Sequence, residues 1–334
     1  MPLLGVCCEL NWREPLEART RSFTEVKAIS MHSVDAEFPA APVVVSKDGE
    51  AYAIWIIIAM IAAVDAVWLR RLGFGVVKLQ NPMVFFIGLF SCLYLFYAFV
   101  RPNHQIAAVQ QSLAQVLSFS VVLGLFSYLT VTLRFPLIDR YLAHADAAVG
   151  VNWLSWFFWI SGHPYLNFTL AVAYCSPMLV LFVLVVALPV FVGIERVREL
   201  IWVYVVTALI VTAISSIAPA ESAWIYFGVP DRVLDVNHLA HFAALRSGRM
   251  TEIPIAEMTG LVTFPSFHAA VGLILIYAAR GVRYLFPLSF AINGLMILST
   301  PSIGGHYFVD VAAGLAVVLF VIIGLRLAEF PRSP

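Results

Sequence analysis

The chain has 334 residues, of which 61% are hydrophobic and 12% are charged. An average soluble domain has about 45–50% apolar and about 25% charged residues, so this composition excludes an ordinary soluble protein and predicts an integral membrane protein. The 20 basic and 20 acidic residues balance, which leaves no basic excess to attract nucleic acid. We therefore expect membrane lipids as the surroundings of the chain and no nucleic acid as a partner.

The first 50 residues are polar and weakly patterned. Such a segment lacks the apolar surface needed to fold alone, so we predict a flexible N-terminal tail over residues 1–50. It contains no apolar core of signal-peptide length, so we expect the first membrane helix to direct the chain to the membrane. Met31 is an alternative start within this tail, and N-terminal sequencing of the native protein would decide between the two.

Eight apolar runs follow the tail, each close to the ~20 residues that a helix needs to cross a bilayer. Lipid cannot satisfy backbone polar groups, so runs of this length are predicted to be helices. The fold class is therefore an all-α, polytopic membrane helical bundle of about six to eight transmembrane helices. We divide it into N-terminal transmembrane helices over 51–133 and a catalytic membrane domain over 134–327. The runs are 51–69, 82–100, 113–133, 165–192, 200–218, 261–279, 284–300 and 307–326.

Two longer segments interrupt these runs. Residues 136–164 carry a tryptophan-rich cluster, and because tryptophan favours the headgroup layer we predict that this segment lies in the membrane interface; a short buried helix is the alternative. Residues 218–260 are polar and include Asp235, His238 and His241. The two histidines are three residues apart, but no third residue stands at a spacing typical of a metal ligand. We therefore predict that these histidines are solvated or line the substrate site, and we predict no metal and no cofactor.

The arrangement of the runs also predicts an orientation. One helix separates the run after His268 from the run after His306, so these two helices are parallel and begin on the same membrane face. Basic residues concentrate on the opposite face, which the positive-inside rule makes cytoplasmic. We expect a multi-pass protein of a bacterial inner membrane whose site faces the periplasm or a lumen. Three basic residues, Arg70, Arg71 and Lys78, fall on the site face, so either the rule is broken there or the count of helices in the first half of the chain is wrong. Those on the opposite face are Arg196, Arg198, Arg280, Arg283, Arg326 and Arg332.

Three ionisable residues stand where apolar runs begin, and such groups are costly at membrane depth. His306 and Asp310 are four residues apart, a spacing that puts both on one helix face, so the carboxylate can orient one imidazole nitrogen. His268 follows Pro265 by three residues and is expected in the first turn of its helix. Helix N-termini attract phosphate, and Gly305 would let the backbone approach such an anion closely.

Two histidines near helix N-termini, one of them oriented by a carboxylate, fit phosphoryl transfer through a phosphohistidine. One histidine attacks phosphorus and the other protonates the leaving oxygen. Arg246 is our first candidate to clamp the phosphate oxygens and Arg249 the second, because a guanidinium matches phosphate geometry.

These residues also resemble known motifs. Pro265-Ser266-Phe267-His268 and Ser299-(x)6-His306-(x)3-Asp310 are similar to the second and third motifs of the type 2 phosphatidic acid phosphatase superfamily. The surrounding residues, 264–269 and 305–311, look closest to the branch that contains inositol phosphorylceramide synthases. The resemblance covers residues ~130–326, with the specific motifs in the last third of the chain.

The resemblance implies a role for each matching residue: His306 as nucleophile, Asp310 as its orienting carboxylate, His268 as general acid and Ser266 as a donor to a phosphate oxygen. Thr300 stands where the family usually has an arginine, and the family's first motif is not visible.

This pattern favours an inositolphosphotransferase-like enzyme over a simple phosphomonoesterase. Its substrate would be a lipid phosphate or phospholipid, with a polyol or sugar alcohol as acceptor. The alternatives are a phosphatase of lipid phosphates or polyprenyl diphosphates, and a non-catalytic transporter or scaffold.

Overall fold

The computed structural model of the chain describes residues 48–77, 82–229 and 237–329. The predicted N-terminal tail, Met31 included, lies outside the described residues except for its last three positions. Those three begin the first helix.

The described chain is built almost entirely of helices. In chain order its elements are α1 (Asp48–Leu72), β1 (Gly75–Val77), α2 (Pro82–Leu95, continued by a π-helical turn over Phe96–Val100), α3 (His104–Val131), α4 (Asp139–Ala148), α5 (Trp153–Ser161), α6 (Pro164–Tyr174), α7 (Pro177–Phe191), α8 (Ile194–Ile217), α9 (Ala223–Tyr226), α10 (Asn237–Ser247), β2 (Glu252–Pro254), a 3₁₀ turn (Ile255–Glu257), α11 (Phe267–Ala278), α12 (Leu285–Ile303) and α13 (Phe308–Glu329).

The predicted membrane bundle of about six to eight helices is confirmed. Within residues 48–77, 82–229 and 237–329, six helices are long and apolar enough to cross a membrane, namely α1, α2, α3, α8, α12 and α13. The pair α6 and α7, bent by 50°, makes a seventh span if it is counted as one. Prolines begin both of these helices, and the break between them falls at Cys175 and Ser176.

The apolar run over 261–279 becomes helical only at Phe267, because Ser266 caps the helix there with its side chain. The resulting α11 has 12 residues and is about 18 Å long, against a hydrocarbon core of about 30 Å. Helix α11 is therefore too short to cross the hydrocarbon core by itself.

The apolar core lies where α3, α7, α8, α11 and α13 meet. Its fully buried members include Phe119, Leu184, Ile201, Leu275 and Val318. Helix α2 packs against α3 and has no buried residue, so it lies at the periphery of the bundle.

The bundle has two chemically different ends. The site end holds the N-termini of α11 and α13, and the C-terminus of α1 reaches it because β1 pairs in parallel with β2, Gly75 opposite Glu252. The basic end lies opposite. There Arg280 donates to Glu199 at 2.7 Å, and Arg326 donates to the Tyr277 hydroxyl at 2.9 Å.

Candidate active site

The first turns of α11 and α13 touch each other at the site end. The backbone N–H of Ser266 donates to the carbonyl of Asp310 at 3.0 Å. The Ser266 carbonyl lies so close to Gly314 that a Cβ there would have no room. The two helices therefore begin side by side, as the sequence predicts, and bring His268 and His306 to one place.

His306 and Asp310 form a buried pair, with Nδ1 of the histidine 3.5 Å from Oδ2 of the carboxylate. His306 is 4% exposed and Asp310 is fully buried. Helix α13 begins at Phe308, so His306 precedes the helix; the turn is held by the Tyr307 N–H, which donates to Asp310 Oδ2 at 2.9 Å. Within the described residues, His306 Nδ1 and Asp310 Oδ1 have no hydrogen-bond partner. A hydrogen bond between the imidazole and the carboxylate can therefore still form.

The surroundings of His306 favour its neutral form. Burial lowers the pKa of His306 to about 4, against a smaller opposing effect of its hydrogen bond with the Thr263 backbone. At neutral pH the ring therefore carries a free lone pair, which a nucleophile requires.

His268 is stacked on Tyr174, a residue that the sequence analysis did not single out. Their ring centroids are 4.3 Å apart with the planes 17° from parallel, and the Tyr174 hydroxyl lies 3.3 Å from His268 Nδ1. Tyr174 is the last residue of α6, directly before the break. A Cβ on Gly304 would lie 2.8 Å from the Tyr174 hydroxyl and 2.9 Å from the His306 ring. The Tyr174 hydroxyl is therefore near His268 and also near the turn that carries His306.

Ser266 and Gly305 have local structural roles. Ser266 is fully buried, and its Oγ accepts from the Ala269 N–H at 3.4 Å as the cap of α11. Gly305 has a φ of +64°, and a Cβ there would lie 2.5 Å from Ser222 Oγ and 2.7 Å from the Trp224 ring. Their predicted contacts with phosphate remain predictions.

The two candidate arginines lie on and after α10. Arg246 Nη1 donates to the Phe135 carbonyl at 3.0 Å, and Arg249 Nε donates to Ser247 at 3.0 Å. Among the described hydrogen bonds and ion pairs, neither guanidinium contacts His268, His306 or Asp310. A phosphate clamp at Arg246 or Arg249 remains a prediction. Thr300 Oγ1, in the place of the family's arginine, donates to the Ile297 carbonyl at 2.7 Å.

The polar loop contributes a third histidine to this region. The His238 ring lies 6.1 Å from that of Trp224. Burial lowers its pKa to about 4, and the nearby His306 and His241 add to this shift. His241 instead contacts the Tyr128 hydroxyl through Nδ1 at 2.8 Å. Asp235 lies outside the described residues, among which no group of three His, Cys, Asp or Glu side chains is arranged to hold a metal ion.

Two carboxylates of α4 hold the site from a distant part of the chain. Asp146 accepts from the N–H groups of Phe308 at 2.9 Å and Val309 at 2.8 Å, which are free donors in the first turn of α13. Seven residues earlier, Asp139 accepts from the Tyr307 hydroxyl at 2.9 Å and the Glu221 N–H at 3.0 Å. Burial raises the pKa of Asp146, and burial followed by the charge of Asp139 raises that of Glu221.

Two tryptophans hold the turn that carries His306. Trp153 Nε1 donates to the His306 carbonyl at 2.9 Å, and Trp224 Nε1 donates to the Ser302 carbonyl at 3.2 Å. Trp153 is 1% exposed, whereas Trp159 in the same cluster is 52% exposed. The carbonyl of His306 explains the difference, because a buried acceptor needs a donor. The interface location of the segment remains a prediction.

The site thus combines a neutral, buried histidine beside a carboxylate with a second histidine at an adjoining helix N-terminus. This arrangement can attack a phosphorus atom and protonate a leaving oxygen. No curated protein and no solved structure matches the chain significantly. A family model described as the PAP2 superfamily matches residues 140–324, which is more than half of the sequence and includes His268, His306 and Asp310. The chain belongs to the PAP2 superfamily.

Proposed function

We propose that this protein is a membrane phosphotransferase that works through a phosphohistidine on His306. Membership of the PAP2 superfamily indicates a phosphatase or phosphotransferase of lipid phosphates. The observation that carries the finer proposal is the buried pair of His306 and Asp310, 3.5 Å apart, beside the N-terminus that bears His268.

In the first step the His306 ring gives up its hydrogen bond to the Thr263 backbone and carries its proton on Nδ1, toward Asp310. It then attacks phosphorus with Nε2, the ring nitrogen that does not face Asp310. A P–N bond forms and the bond from phosphorus to the leaving oxygen breaks. Protonated His268 gives its proton to that oxygen, and Asp310 stabilises the positive charge that develops on the His306 ring.

In the second step the hydroxyl of an acceptor attacks the phosphohistidine. Neutral His268 takes the hydroxyl proton, the P–N bond breaks, and His306 is regenerated. A polyol or sugar alcohol as acceptor gives a phosphorylated alcohol, whereas water gives release of inorganic phosphate. When the group held on His306 is an inositol phosphate, the same two steps give an inositolphosphotransferase-like reaction.

The burial of the site supports transfer over hydrolysis. His306 is 4% exposed and Asp310 is fully buried, so bulk water has little access to the intermediate in this conformation. A phosphatase of lipid phosphates or polyprenyl diphosphates is the second candidate, because the same histidines serve both reactions. A non-catalytic transporter or scaffold is the third.

Substitution of the two histidines tests the enzymatic proposal. We expect His268→Ala to lower kcat about 10²–10⁴-fold, the usual contribution of a general acid, and His306→Ala to lower it at least as much. His144→Ala is the matched control, since His144 is exposed on α4. The assay presents a panel of lipid phosphates and phospholipids to the purified protein with and without inositol.

The products separate the candidates. New phosphorylated alcohol or lipid species that appear only with an acceptor support transfer, and free phosphate regardless of acceptor supports the phosphatase. Full activity in either histidine variant would exclude the mechanism, and turnover of no lipid by the native protein would favour the non-catalytic alternative.

A further inference from the structure

A third imidazole lies beside the two histidines of the proposed mechanism, which does not use it. His238 stands in the first turn of α10, and the next residue, Leu239, is buried in the apolar cluster that also contains Trp224 and Tyr307. Tyr307 directly follows His306 in the chain. The packing of Leu239 therefore places the start of α10 in the cluster that supports the turn of His306.

The His238 ring approaches this turn at Trp224. The centroids of the two rings are 6.1 Å apart. Trp224 in turn donates to the Ser302 carbonyl at 3.2 Å, and its ring would lie 2.7 Å from a Cβ on Gly305. The Trp224 ring is thus close both to His238 and to the residue that precedes His306.

His238 also interacts electrostatically with both histidines of the mechanism. After burial, the proximity of His306 and then of His241 contributes to the low pKa of His238. The electrostatic effect of His238 also reaches His268. Imidazoles from separate parts of the chain therefore share one region, where two protonated rings would repel each other and an anion would offset that repulsion.

The His238 ring is available to a ligand. It is half-buried, and among the described residues neither of its ring nitrogens has a hydrogen-bond partner. His241, one turn later on α10, differs because its Nδ1 contacts the Tyr128 hydroxyl at 2.8 Å. A phosphate needs donors for its oxygens, and Thr300, where the family usually has an arginine, donates to a backbone carbonyl instead. His238 can supply such a donor close to His306.

We propose that His238 is a phosphate-binding residue whose ring N–H donates to an oxygen of the phosphoryl group that His306 attacks. A neutral imidazole has one N–H to donate. The negative phosphate also favours protonation of the ring, because its charge offsets the repulsion from His306. This inference rests on the proposed function, because it adds a ligand for the phosphoryl group that the other two histidines transfer.

Binding of orthovanadate, an analogue of phosphate, tests this contact without requiring turnover. We expect His238→Leu to weaken vanadate binding by the purified full-length protein at least about tenfold, the effect of one lost hydrogen bond to an anion. His238→Asn and His238→Gln place an amide N–H near the positions of Nδ1 and Nε2, so at least one of them should bind within about threefold of the native protein. His163→Leu, at an exposed histidine before α6, is the control and should bind vanadate as the native protein does.

Isothermal titration calorimetry in detergent measures these affinities. Undiminished vanadate binding in His238→Leu, or a loss that neither amide variant restores, would overturn the proposal. Failure of the native protein to bind vanadate would overturn it as well.

Chemical modification of the native protein gives a second measurement that does not depend on the folding of a variant. Diethyl pyrocarbonate acylates neutral, accessible imidazoles, and mass spectrometry locates the modified residues. We expect vanadate to protect His238 and to leave the modification of the exposed His163 unchanged. Equal modification of His238 with and without vanadate would contradict the contact. If the native protein turns over no lipid while vanadate protects His238, the proposed function fails and the contact of His238 with phosphate stands.

Discussion

Tyr174 contacts His268 and lies near the turn that carries His306. Its ring stacks on His268, its hydroxyl lies 3.3 Å from Nδ1, and the same hydroxyl approaches the turn of Gly304. A hydroxyl can accept a hydrogen bond from a protonated imidazole. Tyr174 is therefore suited to hold His268 in place and to support its protonated form.

We expect Tyr174→Phe to lower kcat about tenfold, the cost of one hydrogen bond of roughly 1.4 kcal/mol at the transition state. Protonated His268 loses an acceptor, so less of the enzyme carries the acid form at a given pH and the alkaline limb of the kcat/KM profile should move to lower pH. Measurement of the pH profile checks both effects. Tyr165→Phe, on the exposed face of α6, is the control; an unchanged profile in Tyr174→Phe would contradict the role.

The residues of the site differ in how readily the sequence reveals them. His268, His306 and Asp310 could be predicted because each begins an apolar run, where an ionisable group is costly. Tyr174 and Asp146 reach the site from segments that precede His306 by more than 100 residues. Their position depends on the packing of α6 and α4, which no local pattern encodes. The one available signal for Tyr174 was the interruption of its apolar run by Pro177.

At the scale of elements, the site depends on α4, a short helix outside the membrane spans. Its two carboxylates bond to the turn before α13 and to that helix's first N–H groups. Negative groups at a helix N-terminus stabilise it, both by satisfying free donors and through the helix dipole. Helix α4 thereby fixes the turn that carries His306.

We expect Asp146→Asn to lower the free energy of unfolding by roughly 1–2 kcal/mol, because an amide oxygen replaces a charged acceptor of two N–H groups. The loosened turn should also lower kcat more than it raises KM. Thermal unfolding in detergent and steady-state kinetics measure the two effects. Glu252→Gln, at an exposed carboxyl, is the control; an unchanged melting temperature and kcat in Asp146→Asn would show that α4 does not hold the turn.

The helices were largely predictable, since each of the eight apolar runs corresponds to a helix or to the bent pair α6 and α7. The length of α11 was not predictable, because the apolar run begins several residues before Ser266, which caps the helix. The burial of Trp153 could not be predicted from the sequence either. Its partner is the backbone carbonyl of His306, which is visible only in the folded chain.

At the scale of the whole molecule, the two ends of the bundle carry different sets of side chains. The basic end joins Arg280 and Arg326 to Glu199 and Tyr277, while the site end gathers carboxylates and histidines. Arg70 and Arg71 lie in the last turn of α1, at the site end, so they remain an exception to the charge rule. The C-terminus of α13 lies at the basic end.

We propose that the basic end is cytoplasmic and that the site faces the periplasm or a lumen, because most basic residues of the short loops lie at the basic end. A fluorescent protein fused after α13 should therefore fluoresce in a bacterial host, and alkaline phosphatase fused at the same point should be inactive. The opposite pattern would contradict this orientation.

The most direct test of the central claim is detection of the covalent intermediate. The purified protein is mixed with a ³²P-labelled lipid phosphate in the absence of acceptor, quenched rapidly, digested and analysed by mass spectrometry. We predict a protein-bound label on His306 that is stable to alkali, lost in acid, discharged by an acceptor alcohol and absent from His306→Ala. Turnover of the lipid with no protein-bound label, or with the label on another residue, would contradict the phosphohistidine mechanism.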